Sequence, residues 1–371
     1  MKAENCYVID KNGKKYIDFE AGVWVLPLGH NNKSVNEAII NQLNTVSHVG
    51  YRYSADIVDE AADKVLKLLD FPNGKCVFLS SGSEAVEFGV QIAKRVMYKP
   101  FFLCFKNYYL SAYGISQGRN EKEWITIDLD ECKDNLTKCI DQIPFDKIGA
   151  FIFEPGNASG TAKLPPMDLV KEIESKIREN NGIIVVDEVT TGIGRTGRWF
   201  GFEHYDLRPD IVSMGKGIGN GYPVSVIGMT KSIVEQIEKS GFKYAQSHQD
   251  DPLGCAVVDK VISVINDNDI INRAATIGMI FEQFLKSLMK KHDCIKEIRG
   301  VGLMYVIEFK ESFYSYLPQI HRDIFNAGYI LGFPINGSLF RFYPPLIIEE
   351  KHIQEMINAL DAAISKFTVN G

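Results

Sequence analysis

The chain of 371 residues is 45% hydrophobic and 24% charged, which excludes a disordered polymer and exceeds what one core usually organises, so two lobes are expected. Its 41 Lys and Arg against 47 Asp and Glu leave a net charge of −6, the wrong sign for a nucleic-acid binder. No apolar run reaches the roughly 18 residues of a membrane span, and Met1-Lys2-Ala3-Glu4-Asn5 leads into no signal-peptide core, so a cytoplasmic protein with no membrane partner is expected.

A strand pair at Cys6–Ile9 and Lys15–Phe19 opens the chain. Cys76–Leu79 reads as a strand that runs through Ser81-Gly82-Ser83-Glu84 into an apolar-periodic helix ending near Val96. Further strands are predicted at Phe101–Phe105, Ala150–Phe153, Ile183–Val186, Ile211–Met214 and Val224–Gly228, with a helix at Met167–Glu179. Such Val-, Ile- and Phe-rich strands separated by helices predict an α/β fold, a mostly parallel central sheet sandwiched by helices. After Asp251 the pattern changes to helices at 252–266 and 271–291, then strands at Ile295–Arg299 and Leu303–Phe309. A helix near 316–327, a strand near 339–342 and a last helix from Glu349 follow. The expected organisation is a large domain over 45–250 and a smaller α+β domain built from 1–44 and 251–371. The seven cysteines are scattered without a CxxC pair, and the seven histidines form no HExxH, so neither a disulfide framework nor a metal site is expected.

Gly192-Ile-Gly194-Arg-Thr-Gly197 satisfies the GxGxxG pattern, but Asp187 to Thr191 separate it from the strand it should close, which argues against a dinucleotide site. Gly215-Lys216-Gly217-Ile-Gly219-Asn-Gly221 follows an apolar strand; its lysine reads equally as a solvated turn residue or as an amine that a planar ligand can reach. Asp187 ends the Ile183–Val186 strand, where ligands of open α/β sheets bind and where plain helix caps also occur. Ser81 to Glu84 fits a capping box, and the same helix start offers N–H groups to a phosphate. An anion cradle, a strand-end acid and a glycine-framed lysine are together what pyridoxal phosphate needs: an anchor, a partner for its ring nitrogen and an amine for the Schiff base.

Val186-Asp187-Glu188-Val189-Thr-Thr191-Gly192-Ile-Gly194-Arg195-Thr196-Gly197-Arg-Trp199-Phe200-Gly201 resembles the signature block of class III aminotransferases. The likeness continues through Glu203-His204, Pro209-Asp210-Ile211 and Gly215 to Pro223, with weaker matches at Asp18-Phe19, Gly29-His30, Arg299-Gly300-Val-Gly302-Leu303 and Arg341 to Leu346. The resemblance implies the pyridoxal-phosphate-dependent transferase fold type I and a ping-pong transamination from an amino-acid donor to a keto acid. It implies that Lys216 carries the cofactor and shuttles the proton, and that Asp187 pairs with the ring nitrogen. Val189 and Tyr108 would cover the two ring faces, and Gly82 and Ser83 would hold the phosphate. Ser247 falls where the family reaches the neighbouring subunit's phosphate, which implies a homodimer. Arg341 matches the arginine that clamps a substrate carboxylate.

Departures bear on substrate. Tyr109-Leu110 replace the usual pair after the stacking aromatic, and Ser111 stands where some members carry a second arginine. In Glu154-Pro155-Gly156-Asn157-Ala158-Ser159, Asn157 would keep the contact to the ring hydroxyl, while Ser159 replaces an acid that holds the carboxylate arginine back in ornithine-type members. Arg341 is therefore expected to stand free, favouring donors with an α-carboxylate. Asp250-Asp251-Pro252 is unusual for the family, and an early first match implies a shortened N-terminal segment. Trp24, Tyr51 and Arg52 lie in segments that line pockets in relatives. An aminomutase or racemase would share every motif. A non-catalytic relative would not need Lys216, Asp187 and the Gly82-Ser83 cradle intact.

Overall fold

The computed structural model describes residues 1–132, 136–156, 160–334 and 337–368. The N-terminal strands are β1 (Lys2–Glu4), β2 (Tyr7–Ile9) and β3 (Lys15–Asp18). The middle of the chain holds β4 (Lys75–Leu79), β5 (Phe101–Phe105), β6 (Trp124–Ile127), β7 (Ile148–Phe153), β8 (Ile183–Asp187), β9 (Ile211–Met214) and β10 (Ser225–Met229). The C-terminal strands are β11 (Ile295–Val301), β12 (Met304–Phe309), β13 (Tyr329–Ile330) and β14 (Leu339–Phe342).

The central sheet runs β4-β10-β9-β8-β7-β5-β6. Only β10 is antiparallel to its neighbours. Every residue of β7, β8, β9 and β10 is buried, as strands covered on both faces require. The helix Gly82–Met97 packs across β7 to β10 and buries Ala85, Val86, Phe88, Val90 and Ala93. The helix Met167–Glu179 turns Leu169, Val170, Ile173 and Ile177 inward.

Two smaller sheets complete the fold, β1-β2-β3-β13 and β11-β12-β14. In the first, Tyr329 and Ile330 pair in parallel with Ile17 and Asp18, so the chain start is stitched to a C-terminal segment. The predicted helix near 316–327 is the helix Leu317–Asn326, which has a proline in its first turn and follows a 3-10 turn at Glu311–Tyr316. The edge strand β6 and the helices Lys33–Thr45 and Asp56–Leu69 lie where no element was predicted. One expectation is corrected outright: Cys132 and Cys139 form a disulfide, a local bridge across seven positions that no CxxC spacing signals. No helix among the described residues is long and apolar enough to cross a membrane.

Candidate active site

The parallel strands end on one side of the sheet, and the candidate residues gather there. Asp187 is the last residue of β8 and is buried. Lys216 follows β9 after Gly215 and has a left-handed backbone, φ 43°. Gly215 comes so close to the helix start that a Cβ on it would lie 3.0 Å from the Gly82 Cα and 3.2 Å from Val189 Cγ1. A Cβ on Gly82 would meet Val189 Cγ1 at 2.6 Å. Glycine at both positions therefore lets the lysine loop, the acid loop and the helix N-terminus converge.

Lys216 Nζ donates to Thr190 Oγ1 at 2.7 Å. Burial pushes its amine below the ordinary lysine value; Asp187 and Glu154 hold it up, and Arg341 pushes it down again. Burial raises the Asp187 carboxyl, against the Val189 N–H that donates to its Oδ1 at 2.9 Å and the Lys216 charge. Tyr108 is buried, its ring edge-on to Phe105, and its hydroxyl is raised well above the usual range by burial and then by Glu154. Among the described residues, Tyr108 Oη, Trp24 Nε1 and Tyr343 Oη are buried without a hydrogen-bond partner. Orphaned polar atoms of this kind around a buried amine and carboxylate fit a polar, planar guest.

At the start of the helix Gly82–Met97, Ser81 Oγ accepts from the Glu84 N–H at 3.2 Å, as the capping box predicts. The first-turn N–H groups of Gly82 and Ser83 have no intrahelical acceptor and are free for a phosphate. Ser83 Oγ accepts from the Ala112 N–H, and Ser111 Oγ turns back to the Ser83 carbonyl, so Ser111 ties the loop down. Ser247 is exposed in the turn before Asp250. Asn157 and Ser159 lie outside the described residues.

Arg341 does not stand free, which corrects the expectation drawn from Ser159. Its Nε and Nη2 donate to the two carboxylate oxygens of Glu20 at 2.9 and 3.0 Å. Trp24 contacts both cations: Lys216 Nζ is 4.8 Å and Arg341 Cζ 4.7 Å from its ring. Glu20 and Thr190 were missed in the sequence, where no spacing marks either of them.

The Gly192–Gly197 run is a packing device. Glu188 accepts from Thr191 Oγ1 and from the N–H groups of Gly201 and Phe202, at 2.7, 2.9 and 2.7 Å. A Cβ on Gly194 would lie 2.7 Å from both Ile271 and Leu346. Elsewhere, His48, His248 and Asp251 bring ligand atoms within 4.8 Å of one another, although His48 Nδ1 is already engaged with Asp251 Oδ1 at 2.7 Å.

A half-buried lysine beyond one strand of a mostly parallel sheet, a buried acid ending the next strand and a helix N-terminus facing both define a pyridoxal-phosphate enzyme of fold type I. The Aminotransferase class-III family matches residues 1–109 and 105–364. The chain is 30% identical to acetylornithine aminotransferase of Methanocaldococcus jannaschii, over 99% of this chain and 93% of that protein. It is 27% identical to leucine/methionine racemase of Thermococcus litoralis, over 98% and 90% of the two chains. The crystal structure of acetylornithine aminotransferase from Elizabethkingia anophelis superposes with a TM-score of 0.88 at 25% identity, over 99% and 93%. The chain belongs to the class III aminotransferases and is a pyridoxal-phosphate-dependent enzyme of that class.

Proposed function

We propose that this aminotransferase works through Lys216 and Asp187, and the observation that carries the reading is the half-buried Lys216 amine, 4.8 Å from the Trp24 ring, under the field of the buried Asp187 carboxylate. Bound pyridoxal phosphate supplies the electron sink that makes a donor's carbon–hydrogen bond acidic. Asp187 holds the proton on the pyridine nitrogen. Lys216 Nζ, with its lowered proton affinity, would take the proton from the donor carbon and pass it to the cofactor's carbonyl-derived carbon, and the reverse transfer would serve the keto acid in the second half-reaction. Thr190 Oγ1 steadies that amine. Gly82 and Ser83 would hold the phosphate, Val189 and Tyr108 would cover the ring faces, Asn157 would contact the ring hydroxyl, and Glu154 would complete the cofactor-binding set.

Arg341 receives a substrate carboxylate over the face of Trp24. Ser247 serves the phosphate of a second copy, so the working unit is a homodimer with sites at its interface. The enzyme is cytoplasmic, and 1–44 with 251–371 form the smaller domain against a large domain of 45–250.

The test is the visible spectrum of the purified protein during addition of α- and ω-amino acids without keto acid. Loss of the yellow band with release of the matching keto acid is expected. An amino acid that loses optical purity while the band persists would move the assignment to a racemase. A protein that stays colourless with added pyridoxal phosphate would overturn it.

A further inference from the structure

Residues Ala21, Gly22, Val23 and Trp24 all have positive φ, at 45°, 60°, 65° and 70°. They form one turn of left-handed helix, closed by Trp24 N–H to Glu20 O at 2.8 Å and Val25 N–H to Ala21 O at 3.0 Å. L-residues avoid this conformation because Cβ crowds the carbonyl, and three of the four carry a Cβ, one of them β-branched. Strain of this kind persists where surrounding structure imposes it.

Asp18 does so here. Its Oδ1 accepts from the Glu20 N–H at 2.8 Å, and its Oδ2 accepts from the Gly22 N–H at 3.1 Å and contacts His30 Nε2 at 2.9 Å. Thus Asp18 and His30, which only resembled family positions in the sequence, anchor a turn whose two ends carry Glu20 and Trp24. Gly332 and Gly160 crowd the resulting pair: a Cβ on Gly332 would strike Glu20 Oε1, and one on Gly160 would strike Arg341 Nη1. The backbone is thinned on both sides to admit one carboxylate against one guanidinium.

We propose that the left-handed turn is this enzyme's substrate-selecting element, which lays the Glu20 carboxylate on Arg341 where a substrate carboxylate must go. The inference rests on Arg341 being the carboxylate-binding residue. With Glu20 in place, the fork of Arg341 is satisfied, and an amine with no carboxylate beside its reacting carbon meets a neutral pair. A donor or acceptor carrying a carboxylate there displaces Glu20, and its apparent affinity is reduced by the fraction of time the pair is closed. Glu20 is therefore a specificity residue.

The experiment uses the holoenzyme and two probes, glutarate as a non-reacting dicarboxylate followed by calorimetric titration, and butylamine against glutamate in single-turnover spectra. Glu20→Gln is expected to tighten glutarate, and to lower the half-saturating glutamate concentration, by about tenfold, while butylamine gains nothing or weakens because it then meets an unpaired guanidinium. Glu20→Asp, which keeps the charge, is expected to stay within about twofold of the parent for glutarate. Arg341→Met should weaken glutarate and abolish the gain in the double variant. Unchanged glutarate binding in Glu20→Gln with weakening in Arg341→Met would overturn the selecting role and leave the clamp standing. No change in either variant would sink the clamp and the inference with it.

Discussion

The buried guanidinium of Arg195 donates from Nη1 to the Pro344 carbonyl at 2.6 Å, and from the same nitrogen to the Leu303 carbonyl at 2.9 Å. The signature run after β8 is thus bolted to the segments after β11 and β14, the second of which follows Arg341. Burial lowers the Arg195 guanidinium to about 10, so its charge is held at a cost that these bonds offset. Arg195→Met removes the donor and leaves two buried carbonyls without it, and should cost about 2–4 kcal/mol. Urea unfolding monitored by circular dichroism measures this.

Val23 sits at φ 65° and is 61% exposed, so it bears the strain of the left-handed turn with little packing in return. Val23→Gly should raise stability by about 1 kcal/mol. An unfolding midpoint that stays put or falls would show that the turn is not strained as its backbone angles imply.

Asp187→Asn should separate function from stability. The amide still accepts from the Val189 N–H but carries no buried charge, so the unfolding midpoint should hold or rise. Turnover should fall by about 10²–10⁴-fold, since the acid–base chemistry loses its partner. Lys216→Ala should lose at least as much and should not retain the yellow band after dialysis. Stopped-flow half-reactions and spectra of the dialysed proteins report both.

Burial raises Glu188 to about 8 despite its three donors, and also raises Glu203, Asp210 and Asp250. Raised folded-state values mean that the native state holds more protons than the unfolded chain between the ordinary carboxylate range and about pH 8. The contribution of these groups is therefore full at the acid end of that window and declines as pH rises through it. His204 and His352, which burial lowers, act in the opposite sense over the same window, so the expected outcome is a difference: between about pH 5 and about pH 8 the cofactor-free parent should lose more unfolding free energy, or gain less, than Glu188→Gln. No difference between the two proteins would contradict this.

The disulfide between Cys132 and Cys139 gives a count: five cysteines are free. Under denaturing conditions without reductant, five thiols should be alkylated, and all seven after reduction. Mass spectrometry reads the difference directly. Seven thiols without reductant would remove the disulfide.

The strands that build the site were legible because each is a short apolar run ended by a glycine or an acid. Ile183 to Val186 can only be a buried strand, so Asp187 had to stand at its end, and Lys216 was placed by Ile211–Met214 in the same way. The capping box at Ser81 was equally local. Side chains that do their work within a few residues of a strand end or helix start leave a pattern in spacing. Glu20 leaves none, because its meaning depends on Arg341, 321 positions away. The sequence around Ser159 suggested a free arginine, and only the folded chain shows another carboxylate on it. The left-handed turn was hidden for a related reason: Ala, Val and Trp have no local preference for positive φ, and it is the Asp18 carboxylate with its His30 partner that holds them there. The sequence by itself determined six of the seven central strands and the residues that end them, since both follow from local periodicity and termination. The tertiary structure decided which charges face each other, since that depends on long-range approach and on glycines that allow it.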